Sequence, residues 1–184
     1  MNIFVTDECP IKCAQALDDL RLNKMILESV QMCAVALAEN GCPPLELPQR
    51  KDGTPFKASG WSKHPCTVWV KQSRANYEWL VEHTKALILE MARRRGTLHS
   101  MHRNMPRLIQ GSKYMPLAGL TPFANSSMFP DDLDVIMAYK ATMLMKWAHD
   151  KRKPKWTNSD VPDWAPCFKR QGHQPSGASS DPLP

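Results

Sequence analysis

The chain has 184 residues, 42% of them hydrophobic, with 24 Lys and Arg against 18 Asp and Glu for a net charge of +6. That length suits one ordinary domain with a buried core plus tails, and the positive balance favours a phosphate-bearing partner without requiring one. No apolar run reaches the roughly 18 residues of a membrane span, the start lacks a basic cleavable leader, and the six scattered cysteines form no C-x-x-C pair, so the expectation is a soluble, cytoplasmic protein with reduced thiols.

Asn2-Ile3-Phe4-Val5 reads as a short extended start, and Thr6 and Asp7 ahead of Pro10 mark a helix start with a side-chain cap. Ile11, Ala14, Leu17, Leu20, Leu27, Val30, Cys33 and Leu37 recur at helical spacing and predict one helix up to a stop at Asn40-Gly41. Residues 42–65, rich in Pro, Gly and Lys, predict a long surface loop. A second helix is expected after His64-Pro65-Cys66-Thr67, with Trp69, Ser73, Tyr77, Leu80, Thr84, Leu87 and Met91 on one face up to Gly96. Residues 98–109 read as a short helix interrupted at Pro106, and 111–130 as a turn-rich connection. Asp131 and Asp132 then cap a last long helix that carries Leu133, Ile136, Tyr139, Met143 and Trp147 on one face. After His149 comes the basic run Lys151-Arg152-Lys153-Pro154-Lys155-Trp156, and a Gly/Ser/Pro tail is expected to be disordered. The prediction is an all-α protein, a single domain of three long helices over residues 1–168 with a tail at 169–184. Its first helix should pack on the helix from about Val68 to Arg95, with Asn2 to Val5 across or beside them.

No P-loop, dinucleotide fingerprint, nucleophile elbow, zinc-protease or zinc-deaminase pattern occurs, and no repeat at solenoid periods. On the first helix Asp18, Arg21, Glu28 and Gln31 lie along one side, with Lys24 four residues before Glu28. Such a stripe is ordinarily a solvated, salt-bridged face. If the N-terminal stretch folds back over it, a free α-amino group comes to lie beside a carboxylate. Arg93 to Arg95 with Arg103 and Arg107 suit either a phosphate groove or a helix C-terminus. Lys151 to Lys155 beside Trp156 and Trp164 suit either a DNA-stacking segment or a basic tail whose rings cover the core. His99 and His102 have no carboxylate or Cys near them in sequence, so no metal is expected, and His64 before Pro65 reads first as a cap.

The stretch Leu17-Asp18-Asp19-Leu20-Arg21-Leu22-Asn23-Lys24-Met25-Ile26-Leu27-Glu28 resembles the catalytic helix of the phage pyrimidine-dimer DNA glycosylase/AP-lyase family, where a short chain start leads into a helix reading roughly D-Q-H-L-x-x-E-x-R-E. The resemblance continues at His64, from Trp79 to Gly96, and at Lys153-Pro154-Lys155-Trp156. It implies a helical enzyme, a monomer without cofactor acting on double-stranded DNA in the host cytoplasm if phage-encoded. In that chemistry an N-terminal amine attacks C1′ of the damaged nucleotide to form a Schiff base. An α-amine with a pKa near 7.7–8.0 is partly unprotonated at neutral pH, and a lysine near 10.4 is not. A glutamate beside it stabilises the cationic sugar and moves protons. By position in the motif, Met1 supplies the amine and Glu28 the carboxylate, with Asn2 and His64 in support. DNA contacts are expected from Arg21, Lys24, Arg74, Lys153, Lys155 and Trp156.

Two positions depart from the family pattern. Asn2 is bulkier than the small residue usual after the initiator, which should leave Met1 in place, and the arginine before the family glutamate is Leu27 here, with Gln31 at the following basic position. The leading expectation is thus a glycosylase/AP-lyase. The competing ones are a non-catalytic DNA-binding protein on the same scaffold and an interaction protein with an incidental basic face.

Overall fold

The computed structural model describes residues 2–57, 61–129 and 132–169. Among these, six α-helices are α1 (Pro10–Ala16), α2 (Asp19–Glu39), α3 (Pro65–Gln72), α4 (Arg74–Arg95), α5 (Met105–Gly111) and α6 (Val135–His149). No strand occurs among the described residues, only an isolated antiparallel bridge between Gln49 and Pro55. The all-α expectation holds; among the described residues α2, α4 and α6 are long, and the shorter α1, α3 and α5 accompany them.

The expected first helix is two. At Leu17 the backbone turns extended (φ −71°, ψ 141°), and Asp18 caps α2 through its carboxylate. The carbonyls freed by the break are taken up by Arg94, which donates to Leu17 O at 2.8 Å and Gln15 O at 2.9 Å. The break resets the helical phase, so Ile11, Leu20 and Leu27, expected in the core stripe, are exposed, while Leu22, Met25, Ile26, Val30, Cys33 and Leu37 are buried. The expected second helix also divides. Ser73 is extended (φ −149°, ψ 155°) and its hydroxyl accepts from Asn76 N at 3.0 Å, while the Asn76 amide donates to the freed Trp69 carbonyl at 2.8 Å. Trp69, Ser73 and Tyr77 keep helical spacing across this break, so periodicity could not reveal it.

Other boundaries move for equally local reasons. The first helix is N-capped at Cys9 with Pro10 in its first turn, and Asp7 accepts from Cys9 N just outside it. Pro106 sits in the first turn of α5 and starts that helix where an interruption was expected. Asp134, not Asp131 or Asp132, caps α6 by accepting from Met137 N at 2.9 Å, which leaves Leu133 outside the helix; Pro130 and Asp131 lie outside the described residues. The extended start is broken at Phe4, whose φ is +45°. Gly41 (φ +80°) and Gly96 (φ +70°) close α2 and α4 in the left-handed conformation that a stop glycine supplies.

Helix α4 is the centre of the packing, against α1, α2 and α3, as the complementary stripes of the first two predicted helices imply. Ile3, Phe4 and Val5 are buried in the same core as Leu22, Ile26 and Cys33 of α2, Cys66 of α3, Tyr77 and Leu80 of α4, and Tyr139, Met143 and Trp147 of α6. The chain after α6 returns to the α1–α2 break. Asp19 N donates to Lys155 O at 2.8 Å, Trp156 Nε1 donates to Ala16 O at 3.1 Å, and the rings of Trp156, Trp164 and Phe168 pack on Trp147. No helix among the described residues is long and apolar enough to cross a membrane. Of the expected tail only Lys169 is described.

Candidate active site

Helix α2 carries Arg21, Lys24 and Glu28 at offsets of three and four, with Arg21 and Glu28 two turns or about 10 Å apart along one side. The start of the chain crosses this side. Asn2 N donates to Glu28 Oε2 at 3.1 Å across 26 residues of sequence. Met1 lies outside the described residues, but its carbonyl is bonded to that same nitrogen. Glu28 is 12% exposed at its side chain and also faces Lys24 Nζ at 3.5 Å.

The geometry of the chain start is fixed by the Asn2 side chain. Its Oδ1 accepts from Ile3 N at 2.8 Å and Phe4 N at 2.9 Å, and its Nδ2 donates to Ser126 O at 3.0 Å. That tight turn accounts for the positive φ of Phe4, a strain tolerated because the ring is buried edge-on against Tyr139.

His64 closes the other flank. Its Nδ1 accepts from Cys66 N at 3.3 Å and caps α3, which puts the proton of the neutral ring on Nε2. Burial pulls its pKa below the usual histidine value, against an opposing pull from the Glu28 carboxylate, so the ring is neutral at pH 7. Trp61 meets His64 edge to face at 6.0 Å and is 60% exposed, with its backbone at φ +68°.

The remaining sequence candidates are spread more widely. Arg21 is only 11% exposed; it donates to Asp18 at 3.0 Å and spans both carboxylate oxygens of Asp150 at 2.8 and 3.2 Å. Lys24 projects into solvent, 67% exposed at its side chain. Arg74, at the start of α4, donates from Nη2 to Lys113 O at 3.3 Å. Lys153 and Lys155 are exposed beside the α1–α2 break, roughly ten residues or 15 Å along α2 from Glu28, and Trp156 is half-buried against Trp147. In the triple arginine run, Arg94 is buried with Glu90 and Asp19, and Arg93 pairs with Glu90. His99 caps a turn by accepting from Met101 N, and no group of three or more metal-ligating side chains occurs among the described residues.

Sequence reasoning missed Ser126, Asp150 and Trp61 as neighbours of the stripe. Ser126 and Asp150 come from 124 and 129 residues away from their partners, separations no local pattern encodes. Trp61 lies in the Pro-, Gly- and Lys-rich stretch 42–65, where no motif marks it.

No curated protein and no solved structure matches this chain. A family model described as pyrimidine dimer DNA glycosylase matches residues 1–108, a span that holds Asn2, Arg21, Lys24, Glu28, His64 and Arg74 and ends before Lys153. That span is more than half of the chain, which therefore belongs to the pyrimidine dimer DNA glycosylase family.

Proposed function

We propose that the protein is a monomeric DNA glycosylase with AP-lyase activity on pyrimidine-dimer-type lesions in double-stranded DNA, using the amine at its chain start as nucleophile and Glu28 as the acid/base. Membership of the family makes DNA the substrate class. The observation that supports the mechanism is the 3.1 Å hydrogen bond from Asn2 N to Glu28 Oε2, which holds the second residue of the chain at a largely buried carboxylate.

In the proposed sequence the lone pair of the neutral amine bonds to C1′ as the glycosidic C1′–N bond breaks and the base leaves with its electron pair. The nitrogen then loses a proton to Glu28, which delivers it to O4′ as the ring opens and leaves an iminium. The restored carboxylate takes a C2′ proton, and the C3′–O bond to phosphate breaks. In this proposal the Glu28 carboxylate serves each proton step, and its charge stabilises the iminium. Lys24, Lys153 and Lys155 are the most exposed of the proposed phosphate contacts, with Arg74 and Trp156 more enclosed; Arg21 reaches DNA only by releasing Asp150.

Borohydride trapping on an abasic-site duplex tests the reading. Wild-type protein should give a covalent complex, with intact mass fixing whether Met1 or Asn2 carries the free amine. Glu28→Gln should bind the duplex within about twofold of wild type and cleave it on the order of a hundredfold more slowly, the usual loss on removing a proton-transfer group. Absence of a wild-type complex on abasic and dimer-containing duplexes favours the binding-protein alternative, and full activity in Glu28→Gln removes Glu28 from the chemistry.

A further inference from the structure

The contacts that hold Asn2 do not end at Ser126. Tyr139, fully buried on α6, donates from its hydroxyl to Ala124 O at 2.8 Å and accepts from Ser126 N at 3.0 Å. One turn further along α6, Thr142 Oγ1 accepts from Met128 N at 2.9 Å. Two buried hydroxyls on one helix face therefore pin the 124–129 loop, and Ser126 O of that loop accepts the Asn2 side-chain amide at 3.0 Å. The Tyr139 ring also abuts Phe4 at 6.3 Å, and its hydroxyl lies 3.9 Å from the thiol of Cys66, in the first turn of the helix that His64 caps. One phenol thus touches the loop, the chain start and the base of α3, and the chain start in turn meets Glu28.

We propose that Tyr139 is a positioning residue for the reaction: acting through Ser126 and the Asn2 side chain, it fixes the chain start against Glu28. The inference rests on the reading of the chain-start amine and Glu28 as the reacting pair. Its physical basis is that a terminus is by default the most mobile part of a chain, whereas an attacking nitrogen must be held close to its target geometry. Asn2 suits this arrangement because a side-chain amide supplies the acceptor for Ile3 and Phe4 and the donor for Ser126 from two separate atoms, which Ala at that position cannot do.

Tyr139→Phe keeps the ring against Phe4 and removes only the hydroxyl; Asn2→Asp keeps the acceptor and the size, and replaces the donor to Ser126 with a carboxylate oxygen that repels that carbonyl. Each should lower the single-turnover rate of borohydride trapping on an abasic duplex by between about tenfold and a hundredfold, at unchanged duplex Kd. The double variant should be no slower than the worse single one, because both break the same chain of contacts. In Tyr139→Phe the pH midpoint of trapping should also fall, since an amine loosened from a carboxylate loses the charge that favours its protonated form. Trapping by folded Tyr139→Phe at the wild-type rate overturns the inference and leaves the proposed function standing, as do fully multiplicative effects in the double variant. A wild-type protein that traps no DNA at all overturns both. Asn2→Asp, at the half-exposed chain start, provides the test should Tyr139→Phe fold poorly.

Discussion

His83 on α4 is fully buried, with Nδ1 2.9 Å from the Pro10 carbonyl and its ring stacked on Trp79 at 5.3 Å. Nε2 has no hydrogen-bond partner, so a second proton there would be a buried, unpaired charge, and burial brings the pKa down to about 4. The sign follows from linkage. Above about pH 6.5 neither folded nor unfolded chain binds the proton, but as pH falls from there towards 4 only the unfolded chain does, and stability drops by up to roughly 3 kcal/mol. Denaturant midpoints between pH 7 and 5 should therefore fall in the wild type and fall less in His83→Asn, which keeps a donor for the Pro10 carbonyl and cannot titrate. His64 and His99, also lowered by burial, supply the slope that remains. An identical pH dependence in His83→Asn would assign the acid lability to other groups.

At the scale of elements, polarity decided what periodicity left out. The core stripes of α2 and α4 were legible because apolar spacing reports which side of a helix is buried, and Asn40-Gly41 and Gly96 were legible because a left-handed residue is a local requirement. The breaks at Leu17 and Ser73 were not, since each depends on a distant or side-chain partner for the carbonyls that it frees. For the candidate site the polar stripe could be read from α2 and the folded-back start was an arrangement the sequence allowed, while the loop that holds Asn2 could not be read, its contacts being non-local. Arg94 illustrates the cost of such a partner. It joins the end of α4 to the α1–α2 break, donating to two backbone carbonyls, to Glu90 at 2.7 Å and to Asp19 at 3.1 Å, with no side-chain exposure of its own. Asp19 in turn accepts from Thr157, which ties in the C-terminal segment. Arg94→Ala should lose about 3–5 kcal/mol, the penalty for leaving a buried charge and two carbonyls without their partner. Thermal unfolding that stays within a few degrees of wild type would mean that water replaces the guanidinium at little cost.

For the whole molecule, the net charge of +6 becomes informative only through where the cations sit. Two adjacent positions on α2 give opposite expectations. Arg21 is held by Asp18 and Asp150 and fastens the end of α6 to the start of α2, while Lys24 is largely in solvent one turn before Glu28. A phosphate contact releases counterions, so each one lost lowers the slope of log affinity against log salt by about 0.9 in magnitude. Lys24→Gln should thus flatten the slope by about one contact without changing stability, and the pair Lys153→Gln with Lys155→Gln should flatten it further if the segment beyond the family match shares the duplex. Lys169→Gln, whose side chain pairs with Asp163 at 2.9 Å, should leave the slope alone. Arg21→Gln is expected to act chiefly on stability, since it leaves the Asp150 carboxylate, the buried Asp18 and the Trp147 indole bonded to Asp18 at 2.7 Å to rearrange around a lost charge. Salt titrations of duplex binding paired with denaturant melts separate these outcomes. Equal flattening by Lys24→Gln and Lys169→Gln would reduce DNA binding to a matter of net charge, whereas flattening by Arg21→Gln without loss of stability would mean that DNA displaces Asp150 and takes the arginine for itself.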